Sequence, residues 1–336
     1  MRLNLIGNGF DLYHGLPSSY YYFGCFLIDS DFEFYREMAN MFGFKYGRSE
    51  GVPSDEIIPT VDNMWWRDFE NMLGQIEPTW IEETLMDDLG LEYPDDPVDL
   101  NIPEVEMAQK IVCKFIEWIS NTVNTEKNYK IIKNMIGADK CEIRRDDYFI
   151  NFNYTPTLER IYKVTKDRIL YIHGKCGEDE LIVGHGNNRA IVEVKNKISE
   201  IESERYYLQC QADRNRLNEY KAELETLQRL KKDVACLIDV MSSDLSRSHV
   251  IPDEILIWGL SCGEVDLPYI KELKDRFPHA RWSFSYYDLN EKNKREELSK
   301  DLGIINPKFF SLNNSNADDI RRVLVETNKI VECESR

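Results

Sequence analysis

A short apolar segment, Leu3–Ile6, runs directly into Gly7-Asn8-Gly9-Phe10-Asp11-Leu12-Tyr13-His14-Gly15-Leu16-Pro17. The segment reads as a buried strand. Two glycines immediately after a strand let the backbone turn sharply and approach a ligand closely. A helix starting at that point offers its first N–H groups and its dipole to a phosphate. The run departs from the dinucleotide-binding fingerprint, which needs a third glycine three residues after the second. Leu12 stands there, and the next glycine is Gly15.

Further short apolar runs read as buried parallel strands at Tyr148–Phe152, Ile169–Ile172, Ile255–Trp258, Arg281–Tyr286 and Lys308–Phe310. Helical spacing of apolar residues predicts helices at Thr155–Val164, Leu267–Phe277, Leu289–Leu302 and Ala317–Val331. Strands alternating with helices imply an α/β fold, a mainly parallel sheet with helices on both faces. Two segments interrupt the alternation. Residues 19–147 are rich in aromatic and acidic residues, carry a helix pattern over Met107–Val123 and an acidic loop at Glu92–Pro97, and read as a mainly helical insertion. Residues 191–245 place Leu217, Tyr220, Leu224, Leu227, Val234, Leu237 and Met241 at three–four spacing, which predicts a long helical hairpin or short coiled coil. Packing on its own domain and pairing in a homo-oligomer both remain open for that hairpin. The expected domains are therefore a core of residues 1–18 and 148–336, with the hairpin inside it, and the insertion.

A net charge of −18 argues against undirected nucleic-acid binding, which needs a surplus of Lys and Arg, and against docking on an anionic membrane. No apolar stretch is long enough to span a bilayer. The start lacks a signal-peptide pattern, so the fold is expected to begin at Met1 and the protein to be cytoplasmic. None of the eight cysteines forms a C-x-x-C pair, which argues against a zinc ribbon and a disulfide framework.

Four motifs fall at the C-terminal ends of predicted strands, where open parallel sheets bind ligands. They are the glycine turn, Asn151-Phe152-Asn153-Tyr154-Thr155, His173-Gly174-Lys175, and Gly259-Leu260-Ser261-Cys262-Gly263-Glu264-Val265-Asp266. Together with Gly15-Leu16-Pro17 and Trp66-Arg67-Asp68-Phe69-Glu70, they resemble the bacteriophage abortive-infection AbiH family over nearly the whole chain. The same skeleton is similar, more remotely, to sirtuins and sirtuin-like NADases. That resemblance implies a Rossmann-like core in which the run Gly7, Asn8, Gly9, Phe10 and Asp11, with Gly15 and Pro17, frames an NAD-binding loop. It also implies that Asn153 sits at the nicotinamide ribose, His173 acts as the base and Ser261 contacts the cofactor. Asp11 stands where sirtuins carry serine, and would put a negative charge near the phosphates.

Cleaving the N-glycosidic bond of NAD builds positive charge on the ribose carbon as nicotinamide departs. Acceleration needs positioning, exclusion of water and a polar group on the ribose or the attacking water. Asn153 suits that task, and a neutral His173 can take a proton; no metal is required. Sirtuin deacylases carry a four-cysteine zinc module that this chain lacks, so hydrolysis of NAD or a related nucleotide is expected over deacylation. The rival expectation is a non-catalytic nucleotide sensor or partner-binding module, with a phage-derived protein as trigger. His185, between Gly184 and Gly186, is a second candidate base. His14 is expected to support the turn, Asp266 to cap a helix, Trp65, Trp66 and Phe69 to form core, Asp68 to be solvated, and Glu70 to face either water or the cleft.

Overall fold

The computed structural model describes residues 1–44, 60–61, 65–66, 68–76, 103–137, 140–203, 211–330 and 334–335. The acidic loop expected at Glu92–Pro97 lies outside them, as do Arg67, Cys210 and Cys333. The chain divides into two compact units. One comprises Met1–Tyr22, Ile116–Ile182 and Asp233–Ile330; the other comprises Phe23–Phe115, Val183–Lys232 and Val331–Arg336.

The first unit is built on six parallel strands: β1 (Arg2–Ile6), β3 (Tyr148–Asn151), β4 (Ile169–Tyr171), β5 (Glu254–Trp258), β6 (Arg281–Tyr286) and β7 (Lys308–Ser311). Their order across the sheet is β4-β3-β1-β5-β6-β7. From β1 the chain steps outward to β3 and β4, then crosses back to β5, β6 and β7. Its direction of travel thus reverses between β1 and β5. This is the strand order of the doubly wound, Rossmann-like fold, and its reversal point is where such sheets take ligands.

Alternation along the strands separates two apolar faces. Leu3, Leu5, Ile150, Ile255, Ile257 and Phe284 share one core with Leu237, Met241 and Leu245 of helix Val234–Arg247 and with Tyr269, Ile270 and Leu273 of helix Leu267–Arg276. Phe10 of the short helix Asn8–Tyr13 meets Trp258 edge-on, ring centroids 6.4 Å apart, and Trp258 meets Phe310 at 4.7 Å. The buried Asn4 joins three strands there. Its Oδ1 accepts from Trp258 Nε1 at 3.0 Å and its Nδ2 donates to Tyr148 O at 3.3 Å. A buried amide with both ends paired fixes register without a desolvation penalty.

In the second unit, the rings of Phe23, Tyr35, Phe44, Trp65 and Phe69 pack around the fully buried Trp66, with Tyr35 and Phe69 stacked on it at 5.9 and 5.4 Å. The expected core role of Trp65, Trp66 and Phe69 is what the structure has. Gly24 sits close against this cluster, where a Cβ would lie 3.0 Å from the Trp66 ring and the ring would have to give by a few tenths of an ångström. Helices Asn188–Ser203 and Gln211–Arg229 pair through Ile191, Val194, Ile198, Leu217 and Leu227. β2 (Thr60–Val61) and β8 (Glu334–Ser335) form a separate parallel pair.

The apolar stripe read as one hairpin divides between the two units. Leu217 and Leu227 belong to the helix pair, whereas Leu237 and Met241 belong to a new helix that covers the sheet. Asp233 starts that helix by accepting from Cys236 N at 3.1 Å, an N-cap that ends the earlier periodicity. Among the described residues, no helix is long and apolar enough to cross a membrane.

Candidate active site

The loops leaving β1 and β5 pack backbone on backbone at the reversal point of the sheet. Gly7 N–H donates to Trp258 O at 2.9 Å, Gly9 N–H to Gly259 O at 2.8 Å and Phe10 N–H to Gly7 O at 2.9 Å. A Cβ on Gly7 would fall 2.4 Å from Leu260 Cα, one on Gly9 2.7 Å from Gly259 Cα, and one on Gly259 2.4 Å from the Gly9 carbonyl carbon. Gly259 also holds φ at +60°, where a side chain is strained. The contact between the two loops accounts for the glycines at Gly7, Gly9 and Gly259. It also takes the N–H groups of Gly7 and Gly9, while Phe10 N–H is held by Gly7 O within its own loop.

The rest of the opening motif is internally braced. Asn8 Nδ2 donates to Ser18 O at 3.0 Å, and Ser18 Oγ returns a bond to Asn8 Oδ1 at 2.7 Å. This clamp closes the turn through Gly15, Leu16 and Pro17, where a Cβ on Gly15 would lie 2.7 Å from Ile320. His14 is fully buried. Its Nδ1 lies 2.6 Å from Phe10 O and its Nε2 2.8 Å from the Tyr162 hydroxyl. A carbonyl only accepts, so Nδ1 carries the proton and Nε2 accepts from Tyr162. Burial of this neutral ring pulls its pKa down to about 4. His14 supports the turn, as expected.

Asp11 lies four residues beyond Gly7, with its carboxyl turned inward. It accepts from Thr155 Oγ1 at 2.5 Å and from Thr157 Oγ1 at 2.6 Å, and is 1% exposed. Burial pushes its pKa up to about 6 against the hydrogen bonds from Thr155 and Thr157 that favour the ionised form. The side chains of Phe10 and Asp11 therefore belong to the interior.

Asn153 is the link between the β1 and β3 loops. Its Nδ2 donates to Gly7 O at 3.0 Å, and its backbone N–H is held by Asn151 Oδ1 at 3.0 Å. His173 follows from the β4 loop, with Nδ1 3.2 Å from Phe152 O. Since that carbonyl only accepts, Nδ1 is the protonated nitrogen and Nε2 the basic one. Phe152 and Tyr154 flank the ring at centroid distances of 5.7 and 6.1 Å. The loop carrying His173 is pinned by Cys176 N–H to Tyr154 O and Tyr154 OH to Ile182 O, both at 2.9 Å. Lys175 anchors it further, donating to Glu159 at 3.0 Å and Glu178 at 2.5 Å.

Ser261 stands on the β5 loop and is exposed. Its hydroxyl donates to Asp266 Oδ2 at 2.5 Å, and the same oxygen accepts from Cys262 N at 3.0 Å. Asp266 does precede a helix, yet its side chain makes no capping bond and closes this loop instead. From beneath, Arg295 donates to the carbonyls of Leu260, at 2.6 Å, and Ser261.

Gly7, Gly9, Asn153 and His173 are thus joined through successive loops at the C-terminal edge of the sheet. His185 belongs to the second unit, where its Nε2–H donates to Leu227 O at 2.9 Å and its Nδ1 accepts from Asn187 N at 3.0 Å. Asp68 is exposed, and Glu70 pairs with Lys232 at 2.7 Å. His249 and His279 are exposed. Thr155, Thr157, Lys175 and Arg295 were not singled out from the sequence as site-building residues. Thr155 and Lys175 each lay inside a quoted motif, and Thr157 two residues beyond one. A charged depression of about 280 Å³, lined by Arg2, Arg144, Asp147 and Arg281 among others, lies at the opposite edge of the sheet, away from these loops. Its Arg2 is matched by Asp147 at 2.6 Å.

The family model described as bacteriophage abortive infection AbiH matches residues 3–286, a span that holds all four loop motifs. No curated protein and no solved structure matches the chain.

Proposed function

Because the chain belongs to the bacteriophage abortive-infection AbiH family, it has a role in phage abortive infection, and we propose that it fills this role as a sirtuin-like nucleotide hydrolase that cleaves NAD. The observation that carries the reading is the chain of contacts from Gly7 O to the Asn153 carboxamide, at 3.0 Å, and from Phe152 O to the His173 ring, at 3.2 Å. It lies at the carboxyl ends of β1, β3 and β4, beside the reversal point where open parallel sheets bind nucleotides.

In the proposed reaction the bond between the ribose C1′ and the nicotinamide nitrogen breaks. Its electron pair returns to the pyridinium ring, releasing neutral nicotinamide. Water oxygen then bonds to C1′ and loses a proton, giving ADP-ribose. The Asn153 carboxamide dipole holds the ribose or the incoming water, and His173 takes the proton at Nε2. Ser261 and the backbone of residues 7–11, with the Gly15–Pro17 turn, would line the remainder of the nucleotide. The proposed setting is the cytoplasm, with a phage-derived protein as trigger and a second copy of the chain as a further partner.

Purified full-length protein incubated with NAD tests the reading by quantifying nicotinamide and ADP-ribose. Turnover that falls at least 100-fold in Asn153→Ala and in His173→Ala, with both variants folded, supports it. Folded wild-type protein that releases no nicotinamide from NAD, with or without lysate from phage-infected cells, overturns it. One observation favours the sensor reading: Gly9 and Phe10 direct their N–H groups to protein carbonyls, as a site built for binding without turnover would tolerate. Ligand-induced melting shifts across a nucleotide panel, with no product formed, are its signature.

A further inference from the structure

Two large apolar side chains stand exposed at the C-terminal edge of the sheet, outside the four loop motifs. Tyr287, the first residue beyond β6, is 69% exposed, and Leu289, which opens helix Leu289–Asp301, is 74% exposed. The backbone that carries them is nonetheless fixed. Tyr287 N–H donates to Glu291 Oε2 at 2.6 Å, and Asn313 Nδ2 donates to Tyr287 O at 3.2 Å. Asp288 caps the helix between them, accepting from Glu291 N at 2.7 Å.

Glu291 also ties this loop to the one leaving β5. Its Oε1 accepts from Arg295 at 2.6 Å, and the buried Arg295 guanidinium donates in turn to Leu260 O, at 2.6 Å, and to Ser261 O. Ser285, two residues before Tyr287, meets the β5 loop directly by accepting from Gly259 N at 2.7 Å. Tyr287 and Ser261 thus belong to one hydrogen-bonded frame beside the reversal point. The charges in that frame disfavour phosphate. Asp266, Asp288 and Glu291 place three carboxylates on it, and Arg295 is committed to Glu291 and two carbonyls. Lys292 lies over the Tyr286 ring, 3.7 Å from Glu296. A fixed, exposed aromatic ring among carboxylates suits the face of an uncharged heterocycle, and a ring already held in place adds affinity without the cost of ordering a loop.

We propose that Tyr287, with Leu289, is the base-stacking subsite of this edge and takes the adenine ring of the nucleotide, while Glu291 and Arg295 are positioning residues that fix it relative to Ser261. That the ligand is a nucleotide rests on the proposed function; cleavage of NAD is not required.

The test is calorimetric titration of the full-length protein with two probes, ADP-ribose, which carries adenine, and nicotinamide mononucleotide, which does not. Tyr287→Ala should weaken ADP-ribose binding about 10-fold, within the range for one base stacked on an aromatic ring, and leave nicotinamide mononucleotide unchanged. Tyr287→Phe keeps the ring and should bind ADP-ribose as wild type does. Because the side chain is exposed, both variants should keep the wild-type melting temperature. Equal ADP-ribose affinity in wild type and Tyr287→Ala overturns the proposal, as does an equal loss for both probes or wild-type protein that binds no ADP-ribose. A loss confined to ADP-ribose in protein that never cleaves NAD upholds the base subsite and overturns only the hydrolase reading. In protein that cleaves NAD, an unchanged KM for NAD in Tyr287→Ala overturns the subsite and leaves the hydrolase reading intact.

Discussion

Two carboxylates, each inside a motif that marks the chain, meet the interior in different ways: Asp11 is buried and Glu70 is half-buried. Asp11, in the Gly-Asn-Gly-Phe-Asp turn of the first unit, accepts from the hydroxyls of Thr155 and Thr157, with the Tyr129 phenol beside Thr157. Glu70, in the Trp-Arg-Asp-Phe-Glu motif of the second, meets the ammonium of the fully buried Lys232 at 2.7 Å. Neutral donors stabilise a carboxylate less than a cation does, so Asp11 is left titratable near 6. An ion pair ties two distant segments together but leaves its buried lysine dependent on a single carboxylate. The first arrangement suits a site that changes with protonation; the second suits a scaffold.

The largest effect should come from breaking the ion pair. Glu70→Ala leaves the Lys232 ammonium buried and unmatched, which costs about 3–5 kcal/mol in denaturant unfolding. The double substitution Glu70→Leu, Lys232→Met should recover most of that loss. Failure to recover would mean that Glu70 acts on something other than Lys232.

Next in size is a pair of opposed pH dependences within one motif. Folding raises the Asp11 pKa from 3.8 to about 6, so its contribution is full below 3.8 and is lost as pH rises through 6. Folding lowers the His14 pKa from 6.5 to about 4, so its contribution is full above 6.5 and is lost as pH falls through 4. Each amounts to something on the order of 3 kcal/mol, and between pH 4 and 6 they largely cancel. Asp11→Asn should therefore lose stability more steeply than wild type on acidification, and His14→Gln less steeply. Parallel urea titrations at pH 4.5 and 6.5 check both signs.

A smaller effect isolates the neutral donors. Thr157→Val removes one hydroxyl from the ionised carboxylate and should cost about 1.5–3 kcal/mol at pH 7.5. Its cost should shrink at pH 5, where Asp11 is mostly protonated. The smallest effect belongs to Asp68, which is exposed beside Glu70. Asp68→Asn should change stability by no more than about 0.5 kcal/mol, and a larger change would show that the whole motif, rather than Glu70, carries the structural role.

Strands β3 and β5 were legible because buried parallel strands are nearly continuous apolar runs, whereas β6 alternates and β7 is half-exposed, so both were read from shorter apolar signals. Tyr148–Asn151, Ile169–Tyr171 and Glu254–Trp258 each lie within one residue of the expected bounds. Two expected helices were altered in detail. The stretch after Asn153 forms a π-helical turn over Leu158–Tyr162, and the helix ending at Trp118 continues as another over Ile119–Val123. The apolar stripe after Ile191 gave no sign of its division, because spacing within a helix does not say which partner covers it. Site chemistry was legible only as residue type and strand end. Asp11 was seen as a charge near a phosphate loop, but its burial depends on Thr155 and Thr157, more than 140 positions away. Glu70 could not be assigned a side because its partner lies 162 positions along the chain. His173 and His185 look alike as glycine-flanked loop histidines. They differ in which ring nitrogen carries the proton, and that is set by tertiary carbonyls at Phe152 and Leu227.

The most direct test of the site is a crystal structure of the full chain grown with ADP-ribose. The account predicts the terminal ribose at the C-terminal edge of β1, β3 and β4, with a hydroxyl within hydrogen-bond distance of Asn153 Oδ1 and the His173 ring on the same side. ADP-ribose bound elsewhere, for instance in the charged depression beside Arg2 and Arg144, would contradict it.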